Sequence, residues 1–121
     1  MSKTKESKLE EEVERLMQRK GVWQLARYQA QSNQNGLPDR LYLYKGYLLG
    51  LELKTEEGKP TELQLKKLEE INNNGGIGLI IRNVETIKKL IEYIDICEQH
   101  TLTFSSSIRI MVEEWMKENG Y

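Results

Sequence analysis

A single cysteine among 121 residues excludes an internal disulfide. That residue, Cys97, has only His100 for company, and two ligands do not close a zinc site. A half-buried thiol and a surface imidazole are the expectation. Long apolar runs are also missing: charges interrupt every one, so no membrane span is expected. Met1 to Lys8 is charged and leads into no apolar stretch, which predicts no secretory signal and a cytoplasmic location. An excess of either charge sign is absent too. Eighteen basic side chains face 19 acidic ones, net −1, which argues mildly against bulk electrostatic binding of nucleic acid. Local basic patches remain: Lys3, Lys5 and Lys8, then Lys66 and Lys67, then Lys88 and Lys89. Each of these is more often a solvated helix face than a nucleic-acid contact.

What is present is an ordinary globular balance, 38% hydrophobic and 31% charged, in a length that suits one domain over 1–121. Leu9, Val13, Leu16 and Met17 recur at helical spacing and predict a helix from about Glu6 to Lys20, stopped by Gly21. Val22 to Tyr28 reads as extended, and polar Gln29 to Gly36 as a loop. Leu41–Lys45 and Leu48–Lys54 read as two strands joined by a tight reversal at Gly46. A helix from about Thr61 to Asn72, a break to Gly76 and a buried strand Ile77–Ile81 follow. Val84 to about Glu98 predicts a further helix, then a Thr- and Ser-rich connector, then a last helix from Ile108 to Glu118. The fold class is α/β, a mixed sheet flanked by helices, with the core over about 6–96. The helix at 107–119 is a candidate dimer element.

Strand alternation puts Leu49, Leu51 and Leu53 on one face and Gly50, Glu52 and Lys54 on the other. Gly50 leaves that second face open for close approach. Taken alone, this is an ordinary half-buried strand. Asp39, after Pro38, lies at the start of the preceding strand. A hairpin runs its second strand back toward that start, so Asp39 is expected beside Glu52 and Lys54. Two adjacent carboxylates repel unless a cation joins them, and Mg²⁺ or Mn²⁺ with oxygen ligands would do so. The Leu53 carbonyl is a candidate further oxygen. Such a metal activates water and stabilises charge on phosphoryl oxygens, and Lys54 would orient the water and help neutralise that charge.

Gly36-Leu37-Pro38-Asp39-Arg40, then Leu51-Glu52-Leu53-Lys54, then Gly58-Lys59 with Thr61 and Gln64, then Gly75-Gly76 together resemble the VRR-NUC family of the PD-(D/E)xK nuclease superfamily. The likeness runs from about Glu6 to Arg82; Leu102 to Tyr121 has no counterpart in it. It implies a restriction-endonuclease-like core and a metal-dependent endonuclease acting on DNA. Branched substrates such as Holliday junctions or flaps, a homodimer, and a bacterial or phage-infected host cell are further implications. Asp39 and Glu52 match the metal-binding carboxylates of the family and Lys54 its catalytic lysine. The family also places a glutamate on the first helix, where Glu6 fits best and Glu10 comes second. Gln64 reads two ways. Thr61 and Gln64 have the form of a capping box, and the resemblance sets Gln64 among the catalytic residues. A non-catalytic DNA-binding or assembly subunit is the alternative function.

Other residues keep two readings. Trp23 and Tyr28 suit base stacking or packing. Arg27 and Arg40 suit phosphate contact or plain surface. Ile108, Met111, Val112, Trp115 and Met116 form an apolar stripe suited to a packing face or a dimer contact.

Overall fold

The computed structural model describes residues 4–28 and 36–120, with side chains at 100–108 excepted. Residues 29–35 of the loop expected over Gln29 to Gly36, Lys3, and the side chains of His100 and Ile108 therefore lie outside the described residues. Helix α1 (Lys5–Arg19) starts at Thr4, whose hydroxyl accepts from the Ser7 N–H at 3.1 Å. It ends at Gly21, where paired bonds from Gly21 N–H to the Gln18 carbonyl and from Val22 N–H to the Met17 carbonyl close it. Leu9, Val13, Leu16 and Met17 form its buried stripe.

Strands β1 (Trp23–Arg27), β2 (Arg40–Tyr44) and β3 (Tyr47–Leu53) follow, then α2 (Glu62–Asn73), β4 (Ile77–Ile81) and α3 (Val84–Glu118). The sheet order is β1-β2-β3-β4. The first two pairings are antiparallel and β3–β4 is parallel, with α2 as the crossover. Lys45 and Gly46, at φ +49° and +89°, make the two-residue reversal between β2 and β3.

Helix α1 covers the sheet face that carries Arg40 and Tyr42 with Leu49, Leu51 and Leu53, and α2 covers the other. This changes the reading of Gly50. Its face is not open: an added Cβ would lie 2.7 Å from Ile71 Cδ1 on α2 and 3.0 Å from Pro38 Cγ. At Gly78 a Cβ would lie 2.7 Å from the Leu68 carbonyl oxygen. The two missing side chains let α2 settle directly on the central strands. Leu49 through Leu53 are all buried in consequence.

The connector expected after Glu98 is helical instead, and α3 runs unbroken from Val84 to Glu118. No Pro or Gly interrupts this stretch. Thr and Ser inside a helix each cost less than about 1 kcal/mol, too little to end one. The chain divides into two compact units, Met1–Lys89 and Leu90–Tyr121. The first holds the whole sheet, α1, α2 and the first turns of α3. The second is the rest of α3, where Ile91 and Ile94 are buried but Ile110, Met111, Val112, Trp115 and Met116 are exposed. No helix among the described residues is long and apolar enough to cross a membrane.

Candidate active site

The pairing of Arg40 with Leu51 sets the geometry, because it leaves Asp39 across from Glu52 at the same end of the hairpin. Asp39 is held from two sides. Its Oδ2 accepts from the Leu53 N–H at 3.0 Å, and its carbonyl accepts from the Tyr28 N–H at 2.8 Å. Glu52 is 1% exposed. Its Oε1 accepts from Gln64 Nε2 at 3.0 Å and lies 3.6 Å from Lys54 Nζ. Its Oε2 is buried with no hydrogen-bond partner among the described residues.

Burial pushes the Glu52 carboxyl up to about 7, and the neighbouring Asp39 carboxylate adds to the rise, while Lys54 offsets part of it. Lys54, 3.6 Å from Oε1, balances only part of the charge of two adjacent carboxylates. The donor set is two buried acids with one orphaned oxygen, which suits a hard divalent cation bound through oxygen. Asp39, Glu52, Lys54 and Gln64 are thus brought together, with Leu53 tied in through its own N–H.

Glu6 does not join them. It is exposed on the first turn of α1, and no three His, Cys, Asp or Glu side chains among the described residues group to hold a metal. Glu10 points to another cluster, 3.9 Å from Arg27 and 3.8 Å from Arg40. The two readings of Gln64 turn out to be compatible. Its Oε1 accepts from the Thr61 N–H at 2.9 Å while the Thr61 hydroxyl accepts from the Gln64 N–H, a complete capping box. Its amide nitrogen is left to hold Glu52.

Arg40 is neither a surface residue nor a phosphate contact. It is 2% exposed, and its Nη2 donates to Glu14 Oε1 at 3.3 Å. Its Nη1 donates to the Asp39 carbonyl at 3.3 Å. Arg27 pairs with Glu14 at 3.1 Å. These guanidiniums tie α1 to the sheet directly behind Asp39. The signal for this in the sequence is weak: Glu10 and Glu14 stand one turn apart on α1 and demand basic partners if half-buried. Trp23 is exposed, so it is not a core residue, and Tyr28 is half-buried.

No protein-family model matches the chain, and no curated protein matches it. Two solved structures do. One, described as a VRR_NUC domain, superposes with a TM-score of 0.61 at 25% identity, over 74% of this chain and 97% of its own length. In fold, and at a quarter of its positions, the chain is similar to a VRR-NUC domain. A second structure, a VRR_NUC domain protein, matches in fold with a TM-score of 0.57 at 13% identity, over 77% of this chain and 89% of its own. The four-stranded mixed sheet flanked by helices is accordingly the restriction-endonuclease-like arrangement expected for VRR-NUC domains.

Proposed function

We propose that this chain is a VRR-NUC domain and a Mg²⁺- or Mn²⁺-dependent DNA endonuclease, selective for branched DNA, acting as a homodimer. The observation that carries the catalytic part is the orphaned Glu52 Oε2, buried beside Asp39 and flanked by Lys54. Asp39 and Glu52 would hold the metal, with the Leu53 carbonyl as a further ligand. When bound, the metal supplies charge that eases deprotonation of water and offsets the negative charge building on the phosphoryl oxygens.

The rest falls to the chain's own side chains. Gln64 fixes the Glu52 carboxylate through Oε1 and leaves Oε2 free. The Leu53 N–H fixes Asp39. Lys54 orients the attacking water and stabilises charge on the phosphate as the new O–P bond forms and the P–O bond to the leaving sugar oxygen breaks. No covalent intermediate with the protein is needed. What supports a dimer is the exposed apolar face of α3 at Met111, Val112, Trp115 and Met116. Selectivity for branched DNA rests on the likeness to VRR-NUC domains.

The test is cleavage of single-stranded, duplex, flap and four-way-junction DNA, and of RNA, with Mg²⁺, Mn²⁺ or EDTA. Metal-dependent cutting of DNA is expected, at least about 100-fold slower in Asp39→Asn, Glu52→Gln and Lys54→Ala. Tight metal-independent DNA binding without cleavage of any substrate would instead identify a non-catalytic binding subunit.

A further inference from the structure

Arg82 follows directly on β4, and its guanidinium does something that its position does not require. The single nitrogen Nη1 donates toward three carbonyls of the β3–α2 loop: Thr55 at 2.6 Å, Gly58 at 2.8 Å and Glu56 at 3.3 Å. Two hydrogens serve three acceptors, so one of these bonds is shared. The carbonyls are gathered by a turn in which the Gly58 N–H donates back to the Thr55 carbonyl at 3.1 Å. A charged donor strengthens each bond relative to a neutral one.

That turn begins one residue after Lys54 and folds back on it. A Cβ at Gly58 would lie 3.4 Å from Lys54 Cδ and 3.5 Å from Lys54 Cβ, so the Gly58 backbone forms a wall against the lysine stem. On its other side the Lys54 backbone is fixed by its N–H to the Ile81 carbonyl at 3.0 Å, in the residue next to Arg82. Residues 81 and 82 therefore grip Lys54 twice, once through its main chain and once through the turn that limits its side chain.

We propose that Arg82 is a positioning residue, which pins the Thr55–Gly58 turn and through it holds Lys54 Nζ beside Glu52. The proposal rests on the nuclease reading. Arg82 is exposed and lines a cleft of about 240 Å³ with Thr55, Glu56 and Glu57. The competing role is direct contact with a DNA phosphate, and kinetics separates the two. A phosphate contact acts on binding and on its salt dependence. A positioning residue acts on turnover.

The experiment compares wild type, Arg82→Met, Arg82→Lys, Lys54→Ala and the Arg82→Met/Lys54→Ala double variant. Arg82→Met is expected to lower kcat about tenfold or more, with KM for DNA and its salt slope unchanged. Arg82→Lys, which keeps the charge, recovers part of the loss. In the Lys54→Ala background Arg82→Met costs nothing further, because its effect runs through Lys54. A readout free of activity is cleavage by a glutamate-specific protease after the exposed Glu56 and Glu57. It is expected to quicken several-fold in Arg82→Met while the thermal midpoint shifts little.

Multiplicative losses in the double variant, a rise in KM with kcat intact, or unchanged proteolysis would each overturn the proposal. A wild-type chain that cuts no nucleic acid would sink the nuclease reading and, with it, the effect of Arg82 on turnover. The proteolysis comparison would still show whether the turn is pinned.

Discussion

Gln64 uses both ends of its amide, and the two ends answer to different assays. The oxygen completes the cap of α2 and the nitrogen holds Glu52. Thr61→Ala removes only capping, so it should cost about 1 kcal/mol of stability and leave cleavage near wild type. Gln64→Ala should cost as much stability and slow cleavage in addition, read from urea midpoints and single-turnover rates side by side. Glu52 carries a second residue-scale prediction. Its folded carboxyl titrates near 7, against 4.5 for an ordinary glutamate. Between those values the folded chain holds a proton that the unfolded chain has released. Stability is therefore full below about pH 4.5 and is lost as pH rises through about 7, by on the order of 3 kcal/mol. Urea midpoints in EDTA should fall from about pH 5 to about pH 8, and Glu52→Gln should flatten the trend. Equal slopes in both proteins would assign the proton elsewhere. The acids and the lysine were legible in the sequence because alternation and hairpin return are short-range rules. Arg40 was not, because a buried guanidinium is recognised only once Glu14 on α1 is known to reach it.

Among the elements, the strands and α1 and α2 follow their sequence patterns to within a residue or two, since each has its own period and its own stop. Two features escaped. The joining of the last helices into α3 turned on what Thr and Ser tolerate rather than on any positive signal. The role of Gly50 turned on the packing of α2, which no local pattern announces. Gly50 and Gly78 now make a graded pair. Alanine at 50 meets the flexible end of Ile71 at 2.7 Å and the Pro38 ring at 3.0 Å, whereas alanine at 78 meets the Leu68 main chain at 2.7 Å. Gly78→Ala should destabilise by about 1–3 kcal/mol and Gly50→Ala by less. Because Gly50 stands two residues before Glu52, its alanine variant should also slow cleavage by shifting α2 and Gln64. Denaturant midpoints paired with cleavage rates check both, and a larger stability loss at 50 than at 78 would contradict the packing described.

On the scale of the whole molecule, Ile110, Met111, Val112, Trp115 and Met116 near the end of α3 are exposed, Met111 at 67% and Trp115 at 56%. If this face joins two copies, Met111→Glu with Trp115→Glu should convert a dimer to a monomer in sedimentation velocity, while the thermal midpoint of the Met1–Lys89 unit stays within a few degrees. An unchanged sedimentation coefficient would remove this face from the interface. The parallel pairing of β3 with β4 has a consequence in time as well as in space. The β2–β3 hairpin alone sets Asp39 across from Glu52 and closes in about 1–10 μs. Gln64 and Arg82 arrive only when the crossover docks and β4 finds its register, the slower kind of event because it closes a longer loop. During synthesis the acids are thus assembled early and left incomplete. The ability to cut would be acquired last, together with cooperative folding, so a partly made or partly unfolded chain would be a poor nuclease.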